Sequence, residues 1–404
     1  MFPRRITTLT ISAVALAGAL LASCGGSADP SPEGSAGSSA SPEAAVLPTS
    51  ACGSNDGPTL LPEDGVYFGV NLDWDNDSPE EYAQRLGHSP AVYVLFAEFP
   101  LSEGALGYVH SIAELVKSQN GALMLTLEPN GGLTTVTKES AEALAGQLRD
   151  INARGVPVYL RFAHEMNGSW YIWSQNPGEY VRSFLEVASA VHSQAQQTAM
   201  VWAPNYGGGY PFSGGRYTAL EDSAAYSLMD TNGDGTLSMQ DDPYAPFYPG
   251  DEAVDWIGMS LYHWGAVYPW GENEVPEAGK FAAQLTGAYN GAAGDEGDLP
   301  DFYGEYAAGR GKPLAITETA ALFATGVEGD EELELKRLWW QQVLAEGLPS
   351  SFPQLKMINW FEWRKFESEI GGEVDWTATR DAALRADFQA ALPSYLRFVS
   401  PGGC

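Results

Sequence analysis

Two carboxylates carry the clearest chemical signal in this sequence. The run Tyr159-Leu160-Arg161-Phe162-Ala163-His164-Glu165-Met166-Asn167-Gly168 begins as a strand and reaches Glu165 near its end. The run Pro313-Leu314-Ala315-Ile316-Thr317-Glu318-Thr319 reaches Glu318 in the same way. Side-chain alternation puts Tyr159, Arg161, Ala163 and Glu165 on one face, and Leu314, Ile316 and Glu318 on one face of the other run. A carboxylic acid that protonates a leaving oxygen, opposed by a carboxylate nucleophile or base, is what glycosidic bond hydrolysis requires. The two tasks need opposite protonation states, so the surroundings must hold Glu165 protonated, in part through the charge of Glu318. Arg161 would oppose this unless it sits one layer deeper. Taken singly, Glu165 reads equally well as a salt-bridge partner of Arg161, and Glu318 as an acid at a helix start. A pure binding protein needs neither.

The elements that must position these groups recur along the chain. Short β-branched or aromatic runs stand at 66–70, 91–96, 122–127, 158–162, 199–202, 256–261, 314–317 and 357–361. Amphipathic stretches separate them, for instance Ser140 to Ala153, where Ala141, Leu144, Leu148 and Ile151 share a helical face and Ser140 is the expected N-cap. The alternation predicts an α/β chain folded as a (β/α)8 TIM barrel, a single catalytic domain over 61–404. The other candidate, an open doubly wound sheet, wants a Gly-rich loop after the first strand, where Asn71-Leu72-Asp73-Trp74 stands.

Barrels of this kind place their chemistry at the C-terminal ends of the strands. The polar groups there are Asn71, Asp73, Glu98, Glu128, His164, Glu165, Asn205, Tyr262, His263, Glu318 and Glu362, with Trp360 among them. The two His lie on different strands with no His-x-His pair, which argues against a zinc site. With neither a Ser elbow nor a phosphate or dinucleotide loop, no cofactor is expected for catalysis. Trp170, Trp173, Trp264 and Trp360 suit sugar stacking, whereas Trp339 and Trp340 sit in a helical pattern and are expected in the core.

Charge narrows the partner. The chain has 404 residues with 52 acidic and 21 basic side chains, for a net charge of −31. No basic face is available for phosphate neutralisation, so a nucleic-acid partner is excluded. An uncharged polymer such as a polysaccharide suits both this charge and the 12 Trp, 19 Tyr and 16 Phe.

The N-terminus reads as a targeting segment, with Arg4 and Arg5 before the uncharged apolar run Ile6 to Ala22. Leu21-Ala22-Ser23-Cys24 looks like a bacterial lipobox, which makes 1–23 a signal segment and Cys24 the lipidated residue. The stretch 24–60, rich in Ser, Pro, Gly and Ala, reads as a flexible tether. The expected location is extracytoplasmic, lipid-anchored to a bacterial cell membrane or secreted, and the expected state is monomeric. In an oxidising compartment Cys52 and Cys404 are expected to pair, because a barrel brings its first and last elements together.

An insertion at about 206–253 contains Asp230-Thr-Asn232-Gly-Asp234-Gly-Thr236-Leu-Ser238-Met-Gln-Asp241. Oxygen-bearing residues at loop positions 1, 3, 5, 7, 9 and 12, with Gly at 6, fit a calcium loop. Asp230, Asn232, Asp234, Thr236 and Asp241 are its candidate ligands, and the ion would be structural. The alternative is a solvated polar turn.

Arg161-Phe-Ala-His164-Glu165-Met-Asn167-Gly168-Ser-Trp170-Tyr171-Ile-Trp173 resembles the acid/base strand of glycoside hydrolase family 26. Val201-Trp-Ala-Pro-Asn205, Val254 to Tyr262 and Ile316-Thr-Glu318 fall where later strands of that family fall. The resemblance implies a barrel that hydrolyses β-linked polysaccharide with retention, most often β-1,4-mannan. It makes Glu165 the acid/base and Glu318 the nucleophile, with Tyr262 hydrogen-bonded to Glu318. It also implies that Arg161, His164, Asn167, Trp170, Trp173, Asn205, Tyr262, His263 and Trp360 contact substrate or shape its site. Mannanases of the family tend to carry His at the end of strand three, where this chain has Leu127-Glu128-Pro129. Mixed-linkage β-glucanases and β-1,3-xylanases of the family therefore stay open as alternatives, as does a non-catalytic carbohydrate-binding lipoprotein.

Overall fold

The computed structural model describes residues 60–399 apart from 269, 292–295, 297 and 298. The expectations for the signal segment, Cys24, the tether and a Cys52–Cys404 bridge lie outside the described residues.

Eight parallel strands form one closed sheet: β1 (Val66–Leu72), β2 (Val92–Glu98), β3 (Ala122–Glu128), β4 (Val158–Phe162), β5 (Thr198–Trp202), β6 (Trp256–Ser260), β7 (Leu314–Thr319) and β8 (Leu355–Glu362). Each strand pairs with its neighbour in chain order, and β8 returns to β1 with Tyr67 opposite Met357 and Leu72 opposite Glu362. This is a (β/α)8 TIM barrel. The helices α1 (Pro79–Leu86), α2 (Glu103–Ser118), α3 (Lys138–Ala153), α4 (Pro177–Gln194), α5 (Ala224–Met229), α6 (Lys280–Leu285), α7 (Glu332–Val343), α8 (Leu348–Ser351) and α9 (Ala382–Ala390) lie between or after the strands. A hairpin of β9 (Arg364–Glu367) and β10 (Gly372–Asp375) follows β8, and β11 (Leu396–Arg397) pairs along β1.

Alternation sorts the strand residues into two cores. Val92, Val94, Met124, Tyr159, Val201, Trp256, Ala315 and Met357 fill the barrel interior. Leu125, Leu160, Ile257, Ile316 and Ile358 face outward and meet Leu148, Phe184, Trp339 and Trp340 of the helices. Each such large apolar side chain contributes roughly 1.5–3 kcal/mol on burial. Gly69 is required on the inner face: a Cβ there would come within 2.0 Å of the Asn359 Oδ1 that crosses the barrel.

The start of α3 differs from the sequence expectation. Thr137 is the N-cap, and Ser140 sits three residues on as its partner. Ser140 N–H donates to the Thr137 hydroxyl at 3.2 Å, while Thr137 N–H donates to the Ser140 hydroxyl at 2.9 Å. This reciprocal box satisfies two otherwise orphaned helix donors.

The insertion between β5 and β6 replaces a long barrel helix with α5 and irregular chain. Its return is fixed by Asp255, which accepts from Met200 N–H at 2.7 Å and faces His192 Nε2 at 2.8 Å.

Candidate active site

Glu318 reaches the barrel mouth by a route that alternation does not describe. On β7, Leu314 and Ile316 face outward and Ala315 faces inward. Thr317 is also inward, for a Cβ on Gly258 would meet its Cγ2 at 2.8 Å. Strict alternation would then send Glu318 to the helices. Instead the register slips against both neighbours, between Met259 and Ser260 on β6 and between Ile316 and Thr319 along β8. A bulge of this kind re-aims a side chain. Thr317 and Glu318 both face the interior, and Thr319 resumes the outward phase, accepting from the Trp339 indole N–H at 3.0 Å.

Glu165 lies beyond β4 rather than within it. Ala163 and Glu165 have φ of 48° and 53°, a left-handed backbone that costs a non-glycine residue about 1 kcal/mol or more. Neighbouring strands hold this conformation: Ala163 N–H donates to Leu127 C=O and Glu165 N–H to Ala203 C=O, both at 2.9 Å. The Trp170 indole N–H donates to Glu165 Oε2 at 3.0 Å. Gly168 makes this possible, since a Cβ there would stand 2.4 Å from the folded-back indole.

Between the carboxylates lies Arg161, fully buried. Its guanidinium donates to Glu318 Oε1 and, at 2.6 Å, to Ser260 Oγ. The same group stands 3.9 Å from Glu165 Oε1. The Tyr262 hydroxyl donates to Glu318 Oε2 at 2.5 Å, so each Glu318 oxygen has its own donor. One oxygen of Glu165, one of Glu318 and a ring nitrogen of His164 all lie within 4.8 Å of one another. Arg161 already brings a fixed positive charge to this donor set.

The electrostatics separate the groups. Burial raises the Glu165 pKa above the ordinary Glu range, and the charge of Glu318 raises it further; Arg161, Ser260 and Trp170 pull it down less. Burial and the charge of Arg161 push His164 well below the usual His range, so its ring is neutral. Its Nε2 meets the Tyr171 hydroxyl at 3.2 Å. Glu128, half-buried at the end of β3, is raised by burial, with a smaller push from Glu318.

Five residues expected at the substrate surface are placed elsewhere. Trp360 is buried against Trp340 and Phe388 behind the sheet, because it shares the outward phase of Ile358 and Glu362. Trp173 is buried and donates its indole N–H to His164 C=O at 2.8 Å, stacking under Tyr171 at 4.4 Å. His263 is buried, its Nε2 at 2.7 Å from Glu274 C=O. Asn167 is buried and clamps the Asn205 backbone, accepting from its N–H and donating to its C=O, both at 2.8 Å. Arg161, fully buried, serves the carboxylates from below rather than facing the cleft. Glu362 also leaves the mouth and accepts from Ala378 N–H and Thr379 N–H, each at 2.9 Å. Trp170, 37% exposed, and the half-buried Asn205 and Tyr262 remain at the mouth.

Two contributors were missed. Ser260 shares Arg161 with the carboxylates. Trp363 stacks on Phe361 at 6.0 Å and donates to Asn71 Oδ1 at 3.2 Å. Continuing the inward phase of Met357, Asn359 and Phe361 would have found it.

In the 230–241 loop, side-chain oxygens gather backbone donors. Asp230 accepts from Asp234 N–H and Gly235 N–H at 3.1 and 2.9 Å. Asp241, buried, accepts from Thr231 N–H at 2.8 Å and Ser238 N–H at 2.9 Å. Asn232 and Asp234 accept from Asp234 N–H and Thr236 N–H, each at 2.8 Å. Thr236 is exposed.

Residues 122–205, from β3 to just past β5, match the family model described as Glycosyl hydrolase family 26. Endoglucanase H of Acetivibrio thermocellus is 26% identical over 294 residues, 70% of this chain and 26% of that protein. Beta-1,3-xylanase TXYA of a Vibrio species is 25% identical over 213 residues, 50% of this chain and 39% of that protein. The chain thus spans well under half the length of these curated relatives. Among solved structures, GH26C from a Muricauda species superposes with a TM-score of 0.54 at 13% identity, covering 84% of this chain and 88% of that one. A modular endo-beta-1,4-mannanase from Cellulomonas fimi superposes at 0.50 and 17% identity, covering 83% and 73%. These two share the fold.

Proposed function

We propose that this chain is a member of glycoside hydrolase family 26, whose model matches residues 122–205, and a retaining endo-β-glycanase with Glu165 as acid/base and Glu318 as nucleophile. The observation that carries the proposal is the approach of the two carboxylates to within 4.8 Å across the barrel mouth. Retaining pairs stand about 5–5.5 Å apart, whereas inverting pairs need about 6.5–9.5 Å to admit a water.

The geometry performs the reaction in two steps. Glu318 attacks the anomeric carbon while protonated Glu165 gives its proton to the departing glycosidic oxygen. Arg161 and Tyr262 hold the attacking carboxylate in one orientation, which leaves it little to reorganise. Glu165, now ionised, takes a proton from water as that water attacks the glycosyl–Glu318 ester. The liberated Glu318 carboxylate recovers its two donors. Trp170, bound to Glu165, offers its exposed face to the leaving sugar.

For the sugar, β-1,4-mannan is the first reading. A second has a glucan or β-1,3-xylan backbone, favoured by curated relatives named as an endoglucanase and β-1,3-xylanases. We further propose that Asp230, Asn232, Asp234, Thr236 and Asp241 hold a structural Ca2+, and that a lipid on Cys24 ties the protein to a membrane surface.

Release of reducing ends from mannan, lichenan and β-1,3-xylan tests the reaction and selects the sugar. Glu318→Ala should reduce turnover to background. Glu165→Ala should lose about 10²–10⁴-fold on polysaccharide, lose less on aryl glycosides with good leaving groups, and recover partly with azide. Near-native activity of both variants on polysaccharide would remove the assignment.

A further inference from the structure

The loop after β6 carries more aromatic surface than the reaction uses. From Tyr262, whose hydroxyl meets Glu318, rings continue outward: Trp264 at 6.2 Å, Trp270 at 5.5 Å from Trp264, and Tyr268 at 5.2 Å from Trp270. Exposure rises along the series, from half-buried Tyr262, Trp264 and Trp270 to Tyr268 at 75%. Trp264 also meets Trp376, just past the β9–β10 hairpin. The series therefore lies on the β6–β8 side of the mouth. Trp170, packed on Phe212, lies on the β4–β5 side.

We propose that Trp264, Tyr268 and Trp270 form a second sugar platform, which stacks pyranose rings of the same β-glycan beyond the pair undergoing cleavage. This inference rests on the glycanase reading above. A run of aromatic rings that leads from a buried site to solvent is the kind of apolar surface found in ligand-binding grooves. The occupant follows from continuity: the rings begin at the residue that holds the nucleophile and lead to solvent. Its chemistry follows from charge, because a protein of net charge −31 repels anionic polymers and tolerates neutral ones.

The loop is also held ready. His263 Nε2 meets Glu274 C=O at 2.7 Å, and Ala266 N–H donates to Glu274 Oε2 at 3.0 Å. The buried Lys280 ammonium donates to Gly265 C=O at 2.9 Å. Asn273 closes the far side, accepting from Ala324 N–H at 2.7 Å and donating to Ala324 C=O at 3.0 Å. A platform already ordered costs little further entropy when a sugar settles on it.

The test uses the full chain carrying Glu318→Ala, so that sugars bind uncut. Calorimetry would compare β-1,4-mannohexaose, a mixed-linkage glucohexaose and β-1,3-xylohexaose with their disaccharides. Trp270→Ala or Tyr268→Ala should weaken the preferred hexasaccharide about tenfold and its disaccharide much less, while Tyr268→Phe should keep the affinity. Thermal melting of each variant reports its folding. A parent that cleaves polysaccharide, with variants that bind hexasaccharide unchanged, overturns the platform and leaves the glycanase reading intact. A wild-type chain that binds hexasaccharide through these rings without cutting it keeps the platform and removes that reading. A protein that binds none of the three overturns both.

Discussion

Glu165 is costly to fold around, and that cost bears on its chemistry. Burial and the Glu318 charge raise its pKa, so the native state holds a proton that the unfolded chain releases. A raised carboxyl of this kind contributes stability that is lost as pH rises through its folded pKa. Glu165→Gln should accordingly raise the melting temperature by a few degrees at neutral pH while abolishing turnover on polysaccharide, as scanning calorimetry and a reducing-end assay would record. The Trp170 indole N–H works the other way, favouring the ionised form. Trp170→Phe should move the alkaline limb of the kcat/KM profile to higher pH, beyond its accompanying loss of sugar affinity. An unmoved limb would show that the bond does not tune Glu165. Both glutamates were legible in the sequence, but the alternation that picked them out fails at each. Glu165 follows a left-handed turn, and Glu318 follows a bulge. Neither conformation has a residue-type signature here, because Ala163, Glu165 and Thr317 are not residues that ordinarily announce a kink.

Strands were legible as elements because β-branched and aromatic runs stood between amphipathic helices. Their phase was not. Eight consecutive buried or nearly buried positions on β8 look alike in sequence, so which of Trp360 and Trp363 reaches the mouth is decided by the inner packing of Asn359 against Gly69. The same limit hid the role of His263, whose side chain holds a loop rather than a sugar. The 230–241 loop was legible from its oxygen spacing, and its oxygens now accept from its own backbone. If calcium binds there, EGTA should lower the melting temperature while leaving activity in the cold nearly unchanged, and added Ca2+ should restore it. An identical melt with and without chelator would count against the ion.

Across the whole molecule, two buried neutral histidines work against the fold in acid, opposite in sign to the raised Glu165. Burial pushes His263 down to about 4 and His164 well below its usual value. As pH falls from about 6.5, the unfolded chain takes up protons that these rings refuse, so the contribution of each ring to stability falls through that window. Between neutral pH and pH 4 the denaturant midpoint of the wild-type chain should fall relative to that of His263→Gln, and a constant difference between the two would count against the histidine. The closed ring of eight strands was the most legible feature of all, since strand–helix alternation admits few other arrangements.

That ring has a floor as well as a mouth. The Tyr159 hydroxyl, at the start of β4, donates to Leu60 C=O at 2.6 Å, and Leu60 and Val399 both pack on the inner core there. The described chain thus begins and ends on the side away from Glu165 and Glu318. A bead, an electrode or a fused domain attached at Leu60 or at Val399 leaves the cleft facing outward. Immobilised in that orientation, the protein presents Glu165 and Glu318 to whatever lies above the support, with no redesign of the cleft itself.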